Sequence, residues 1–136
     1  MKVCIIVSNF YPNISKLLIA GAIAKLKKNK KSNYQIITVP GTFEIPVVIS
    51  NLIHKYDAFI ALGCVIKGKT SHYNHLCSSV FDALTNLSIK SKKPIGNGIL
   101  TCGNIKQAVV RSNPNKKNKG GEAAEAVISV YNIIKR

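Results

Sequence analysis

The stretch Phe59-Ile-Ala-Leu-Gly-Cys-Val-Ile-Lys-Gly-Lys-Thr-Ser-His-Tyr73 decides how this chain is read. An apolar run over 58–66 stops at a glycine-flanked basic turn, and Thr70, Ser71 and His72 then open an amphipathic segment. The pattern predicts a buried strand, a tight loop and a helix over 71–89. Such a junction gathers free backbone N–H groups and the positive end of a helix dipole, and both attract anions. Gly68 lets the backbone approach a ligand closely. His72 stands beside it with a ring that exchanges protons near neutral pH. Phosphate handling with acid–base help is one reading; a histidine with only a packing or surface role is the other.

Outward from this stretch, strand-like and helix-like segments alternate. Residues 2–8 form a continuous apolar strand. Residues 14–28 have a helical pattern, with Ile14, Leu17, Leu18, Gly21, Ala22 and Leu26 on one side and Asn13 placed to cap it. A second strand, 35–39, is stopped by Pro40-Gly41. Residues 43–55 read as a helix with Pro46 tolerated in its first turn. A fourth strand at 98–100, extended back toward Ile95, is followed by a short helix at 104–111, a polar loop at 112–119 and a last helix at 122–134.

Buried strands alternating with helices imply a four-stranded parallel sheet covered on both faces. Right-handed crossovers then give a three-layer α/β/α sandwich, flavodoxin-like in outline, in one domain over 1–136. Ligands in such sheets bind at the carboxyl ends of the strands. Those ends are Ser8-Asn9-Phe10, Val39-Pro40-Gly41-Thr42, Ile66-Lys67-Gly68 and Leu100-Thr101.

The formal net charge is +15, from 20 Lys and Arg against 5 Asp and Glu. The lysines cluster in turn-like stretches at 25–31, 90–93 and 116–119, without the interleaved aromatics of RNA-binding strands. Specific nucleic-acid binding is therefore not expected, whereas attraction of phosphorylated metabolites is. No apolar run reaches membrane-spanning length. Residues 1–8 are too short and strand-like for a secretory signal, so a cytoplasmic location is expected. Cys4, Cys64, Cys77 and Cys102 form no Cys-x-x-Cys pair and read as reduced thiols, mostly packed as small hydrophobes. His72 and His75 share a helix face but Cys77 does not, so no metal site is expected.

The edge segments taken together resemble the lumazine synthase family of riboflavin biosynthesis. The resemblance is carried by Phe10, by Val39-Pro-Gly-Thr-Phe-Glu-Ile-Pro46, and by Ala61-Leu-Gly-Cys-Val-Ile-Lys-Gly-Lys-Thr-Ser-His-Tyr73. It continues through Gly98-Ile-Leu-Thr101, Gln107-Ala108, Arg111, Asn118-Lys-Gly120 and Glu122-Ala-Ala124, and so covers nearly the whole chain. It implies that 5-amino-6-(D-ribitylamino)uracil condenses with 3,4-dihydroxy-2-butanone 4-phosphate without metal or organic cofactor. An imine forms, phosphate leaves, and ring closure with loss of water gives the lumazine.

The resemblance also implies roles. His72 matches the proton-transfer histidine. Arg111 and Lys119 match residues at the phosphate, a role that suits the permanently charged fork of an arginine; Gly68, Lys69, Thr70 and Ser71 join them there. Phe10 matches the aromatic that stacks on the pyrimidine. Thr42, Phe43 and Glu44 match the turn that holds the pyrimidine and its ribityl chain, with Cys64, Val65, Ile66 and Asn97 completing that subsite. Several positions depart from the family. Asn97 stands where a neighbouring subunit usually offers an aromatic, Val110 where Glu is common before the arginine, Tyr11 where Asn is common, and Asn74-His75 where an Asp–aromatic pair is usual.

A homopentamer with shared sites is implied, with riboflavin synthase as a protein partner. Some members assemble twelve pentamers into a shell. A start directly at the first strand and the high charge lead us to expect the isolated pentamer here. Two other classes remain open on the residues: a non-catalytic flavin- or lumazine-binding assembly subunit of the same fold, and a general flavodoxin-like binding or response domain.

Overall fold

The computed structural model describes residues 1–30, 32–68 and 72–135. Four strands, β1 (Lys2–Ser8), β2 (Asn33–Val39), β3 (Ala58–Ile66) and β4 (Ile95–Cys102), form one sheet in the order β2-β1-β3-β4. Every pairing is parallel. Among the described residues, five α-helices follow the strands: α1 (Pro12–Lys28), α2 (Ile45–Leu52), α3 (His72–Ser91), α4 (Ile105–Ser112) and α5 (Lys119–Ile134). The expected flavodoxin-like three-layer sandwich is the observed one.

The strand period of two divides the core. Val3, Ile5 and Val7 of β1, with Ile60 and Leu62 of β3, pack against Leu18 and Ala22 of α1, Ala108 of α4 and Ala124 and Val127 of α5. Cys4 and Ile6, with Phe59 and Ala61, face Ile45 and Ile49 of α2 and Val80 and Leu84 of α3. The two central strands are thus buried on both faces, which is why they read as unbroken apolar runs. No helix among the described residues is long and apolar enough to cross a membrane.

Several boundaries differ from the sequence expectations. Helix α1 begins at Pro12, and its N-cap is Tyr11, without a side-chain cap; Asn13 lies inside the helix. Proline presets the helical φ and lacks the N–H that a first turn leaves unpaired, so the helix starts there. The expected helix at 43–55 is a 3-10 turn, Thr42–Glu44, followed by the shorter α2. Beyond α2, Lys93 Nζ donates to the carbonyl oxygens of Ile53 at 2.5 Å and Tyr56 at 2.8 Å. Strand β2 starts earlier than expected because Asn33 pairs with Lys2 and its N–H donates to the Met1 carbonyl at 3.0 Å. Helix α5 begins at Lys119, three residues before the expected start, because Asn118 caps it and its Oδ1 accepts from the Gly121 N–H at 3.2 Å. Ser71, the expected first residue of α3, lies outside the described residues.

The Asn118-Lys119-Gly120 motif has a packing explanation. A Cβ on Gly120 would lie 2.1 Å from the Leu18 carbonyl oxygen, and one on Gly21 would lie 2.2 Å from Asn118 Oδ1. Helices α1 and α5 therefore approach closely through two glycines. Asn118 adopts a left-handed backbone with φ 49°, a conformation asparagine tolerates better than most residues. Lys119 leaves this junction at the first residue of α5.

Candidate active site

Four connections leave the carboxyl edge of the sheet, and local contacts place their side chains. After β1, Ser15 Oγ donates to the Ser8 carbonyl at 2.6 Å and the Ser15 N–H to the Tyr11 carbonyl at 3.0 Å. That ties the start of α1 to the strand end and projects Phe10 outward, where it is 68% exposed with its ring edge-on to Tyr11. After β2, buried Thr42 and Ile45 anchor the 3-10 turn between them, leaving Phe43 64% exposed and Glu44 half-buried. The Glu44 N–H donates to the Gly41 carbonyl at 3.2 Å.

The end of β3 opens a cleft of about 590 Å³ lined by Phe43, Val65, Ile66, Gly68, His72, Tyr73, His75, Leu76 and Ser79. His72 is exposed at the first residue of α3. Apart from its chain neighbours, no described atom lies within 4 Å of where a Cβ on Gly68 would sit. Lys69, Thr70 and Ser71, expected at the phosphate, lie outside the described residues.

A second cleft, of about 740 Å³, runs along β4 between α3, α4 and the start of α5. Asn97, Arg111 and Lys119 line it, together with Phe81, Ile99, Leu100, Thr101, Lys106, Gln107, Val110, Lys117 and Glu122. Strand β4 is a sheet edge, and side chains partner two of its outward backbone groups, the Ile99 N–H and the Thr101 carbonyl. The Asn97 Oδ1 accepts from the Ile99 N–H at 3.0 Å. Arg111 Nη1 donates to the Thr101 carbonyl at 3.0 Å and lies 3.6 Å from Cys102 Sγ. Helix α4 holds that arginine in place: Asn104 caps it through the Gln107 N–H at 2.9 Å, and Gln107 Oε1 accepts from the Gly103 N–H at 2.7 Å. Lys119 Nζ meets Glu122 Oε1 at 3.3 Å, one helical turn on.

The two clefts share no lining residue. The structure brings Phe43, Val65, Ile66, Gly68 and His72 together, and separately Asn97, Arg111 and Lys119. Phe10 lines neither, and Glu44 lines a smaller groove of about 310 Å³ between α2 and α3. Cys64 and Thr42 are buried. Burial pushes the Cys64 thiol up to about 12, with neighbouring Cys102 adding to the shift, so Cys64 stays protonated as a packing group. Among the described residues, no three His, Cys, Asp or Glu side chains gather to hold a metal.

Lys106, Lys117 and Glu122 were not singled out as site residues in the sequence. Lys106 lies one turn before Val110 and Glu122 one turn after Lys119, but helical spacing alone says nothing about which turn borders a cleft. His75, weighed in the sequence for metal and noted as a departure from the family, lines the His72 cleft.

A histidine cleft and a basic cleft on a parallel flavodoxin-like sandwich define the class: an α/β protein of the kind whose ligands bind at the carboxyl ends of the strands. The model of the 6,7-dimethyl-8-ribityllumazine synthase family matches residues 1–135, and the chain belongs to that family. The 6,7-dimethyl-8-ribityllumazine synthase of Bartonella henselae is 42% identical over 140 aligned residues, covering 100% of this chain and 90% of the relative. That of Buchnera aphidicola subsp. Baizongia pistaciae is 44% identical over 139 aligned residues, covering 98% of this chain and 87% of the relative.

Proposed function

We propose that this chain condenses 5-amino-6-(D-ribitylamino)uracil with 3,4-dihydroxy-2-butanone 4-phosphate, releasing phosphate and water, in the cytoplasm. The observation that carries the activity is the family match over residues 1–135, and the shared site rests on the division of one family motif set between two clefts, with His72 in one and Arg111 and Lys119 in the other. A condensation that expels phosphate needs a proton carrier and an anion clamp at one substrate pair. Two half-sites in separate clefts of one subunit meet if neighbouring subunits pack cleft to cleft. We therefore place the site between adjacent subunits of a homopentamer, with riboflavin synthase as its protein partner.

In this arrangement Phe10, Thr42, Phe43, Glu44, Cys64, Val65 and Ile66 form the pyrimidine side, Phe10 and Phe43 by ring contact and the buried Thr42 and Cys64 by packing behind the lining residues. Asn97 comes from the neighbour. Arg111 and Lys119 of the neighbour hold the phosphate against residues 68–71. His72 takes the proton from the attacking amine and returns one as the carbonyl oxygen leaves as water. Positioning supplies much of the acceleration, because two substrates held in register react as if intramolecular.

The test is lumazine formation by purified protein, followed by its fluorescence without added metal. Failure to form product at high enzyme concentration, with folded protein verified, rejects the activity. A mixed-subunit experiment tests the shared site. His72→Ala and Arg111→Ala proteins, each depressed alone, are unfolded together and reassembled; the mixture is expected to regain part of the wild-type rate. No recovery in verified mixed oligomers, or a monomer by light scattering, places all the chemistry within one subunit.

A further inference from the structure

The cleft along β4 holds more positive charge than one phosphate clamp requires. Besides Arg111 and Lys119 it is lined by Lys106 and Lys117, against the single carboxylate of Glu122. That carboxylate is committed to Lys119 at 3.3 Å, and the other ion pair among the described residues, Lys25 with Glu125, lies elsewhere. The charges of Lys106 and Lys117 are thus uncompensated by any described carboxylate.

Both lysines are positioned by their backbones. Lys106 sits in the first turn of α4, one helical turn before Val110, on the face that borders the cleft. The Lys117 N–H donates to the Val110 carbonyl at 3.2 Å, folding the loop after α4 back onto the helix end beside Arg111. That loop is further pinned by the Lys116 and Asn118 N–H groups, which donate to the Asn113 carbonyl at 2.9 and 3.0 Å. The walls between the charges are apolar: Phe81, Ile99, Leu100 and Val110. Low-dielectric walls around charges of one sign focus the field into the opening and raise the local concentration of counter-ions.

We propose that Lys106 and Lys117 form an electrostatic collar that captures the phosphorylated substrate and delivers it to Arg111. This deepens the proposed activity and rests on it for the identity of the anion. A phosphate monoester carries nearly two negative charges at neutral pH, whereas the pyrimidine partner is uncharged. The collar therefore acts on one substrate only. Its effect is long-range, so it weakens as salt shortens the screening length, from about 10 Å at 0.1 M to about 3 Å at 1 M.

The experiment compares wild type with Lys106→Gln/Lys117→Gln and with the charge-keeping Lys106→Arg/Lys117→Arg, in lumazine formation across a salt series. The Gln pair is expected to lose about three- to tenfold in kcat/KM for the butanone phosphate at low salt, within the reach of electrostatic steering. The loss lies in KM for that substrate, leaves KM for the pyrimidine in place, and fades at high salt. The Arg pair is expected to restore it. A Gln pair with wild-type KM and salt slope overturns the collar, as does an equal loss for both substrates. Calorimetric binding of inorganic phosphate gives a readout that does not depend on turnover. Weaker phosphate binding by the Gln pair than by wild type supports the collar even if no lumazine forms, and equal binding overturns it. Absence of lumazine in every variant counts against the proposed activity instead.

Discussion

Arg111 Nη1 donates to the Thr101 carbonyl at 3.0 Å, so the guanidinium is braced on the last turns of the sheet edge before any ligand arrives. A guanidinium carries five donors in a fixed fork; Nη1 serves the Thr101 carbonyl and Cys102 Sγ, which leaves Nη2 and Nε for an anion. Arg111→Lys keeps the charge but cannot brace and clamp together. It is expected to lose roughly tenfold in kcat/KM for the butanone phosphate, and Arg111→Ala about a hundredfold, from about 1.5–3 kcal/mol per charged hydrogen bond. Steady-state kinetics with each substrate varied in turn checks this. Equal losses for both substrates would remove Arg111 from the phosphate.

Asn97 spends its Oδ1 on the Ile99 N–H, and its side chain is exposed at the β4 cleft. If this position meets the pyrimidine of the neighbouring site, Asn97→Phe adds a ring contact. Aromatic pairs contribute about 0.5–1.5 kcal/mol beyond area burial, so KM for the pyrimidine is expected to fall about two- to tenfold. An unchanged KM in a folded, assembled variant would show that residue 97 does not reach the substrate.

Gly120→Ala would set its new methyl 2.1 Å from the Leu18 carbonyl oxygen, where the backbone of α1 has no room to yield cheaply. Overpacking typically costs about 1–3 kcal/mol, and a backbone clash this close belongs at the upper end. Urea unfolding should show a midpoint well below wild type. A wild-type midpoint would mean that α1 and α5 are not held as described.

Burial holds the Cys4 thiol at about 11, an effect partly offset by a hydrogen bond with Tyr56, and the Cys64 thiol at about 12, both from an ordinary 9.0. The folded state therefore keeps protons that the unfolded chain gives up, and stability is full below pH 9 and falls as pH rises toward those values. At pH 10 the loss is about 1 kcal/mol for each thiol. Urea midpoints at pH 8 and pH 10 should drop further for wild type than for Cys4→Ala/Cys64→Ala, since lysine titration is common to both. Parallel drops would contradict the assignment.

Much of the fold was legible before the structure. The runs over Lys2–Ser8 and Ala58–Ile66 announced central strands because residues buried on both faces leave no polar alternation to read. The ordered motifs around Phe10, Phe43, His72, Arg111 and Lys119 identified the family. Boundaries were less legible wherever a proline or a cap decided them. Pro12 starts α1 and Asn118 starts α5, and each overrides the apolar periodicity a few residues further on.

What the sequence by itself determined is local: which segments are strands, which faces are apolar, and which residues match the family's motifs. Period and propensity act between near neighbours, so they survive in a linear reading. Only the tertiary structure decided that His72 and Arg111 line different clefts, and that Lys106 and Lys117 join Arg111 in one of them. It alone placed Gly21 and Gly120 where α1 and α5 touch. Those relations join residues far apart in the chain through the sheet order β2-β1-β3-β4 and the packing of helices upon it. No spacing between neighbours encodes them.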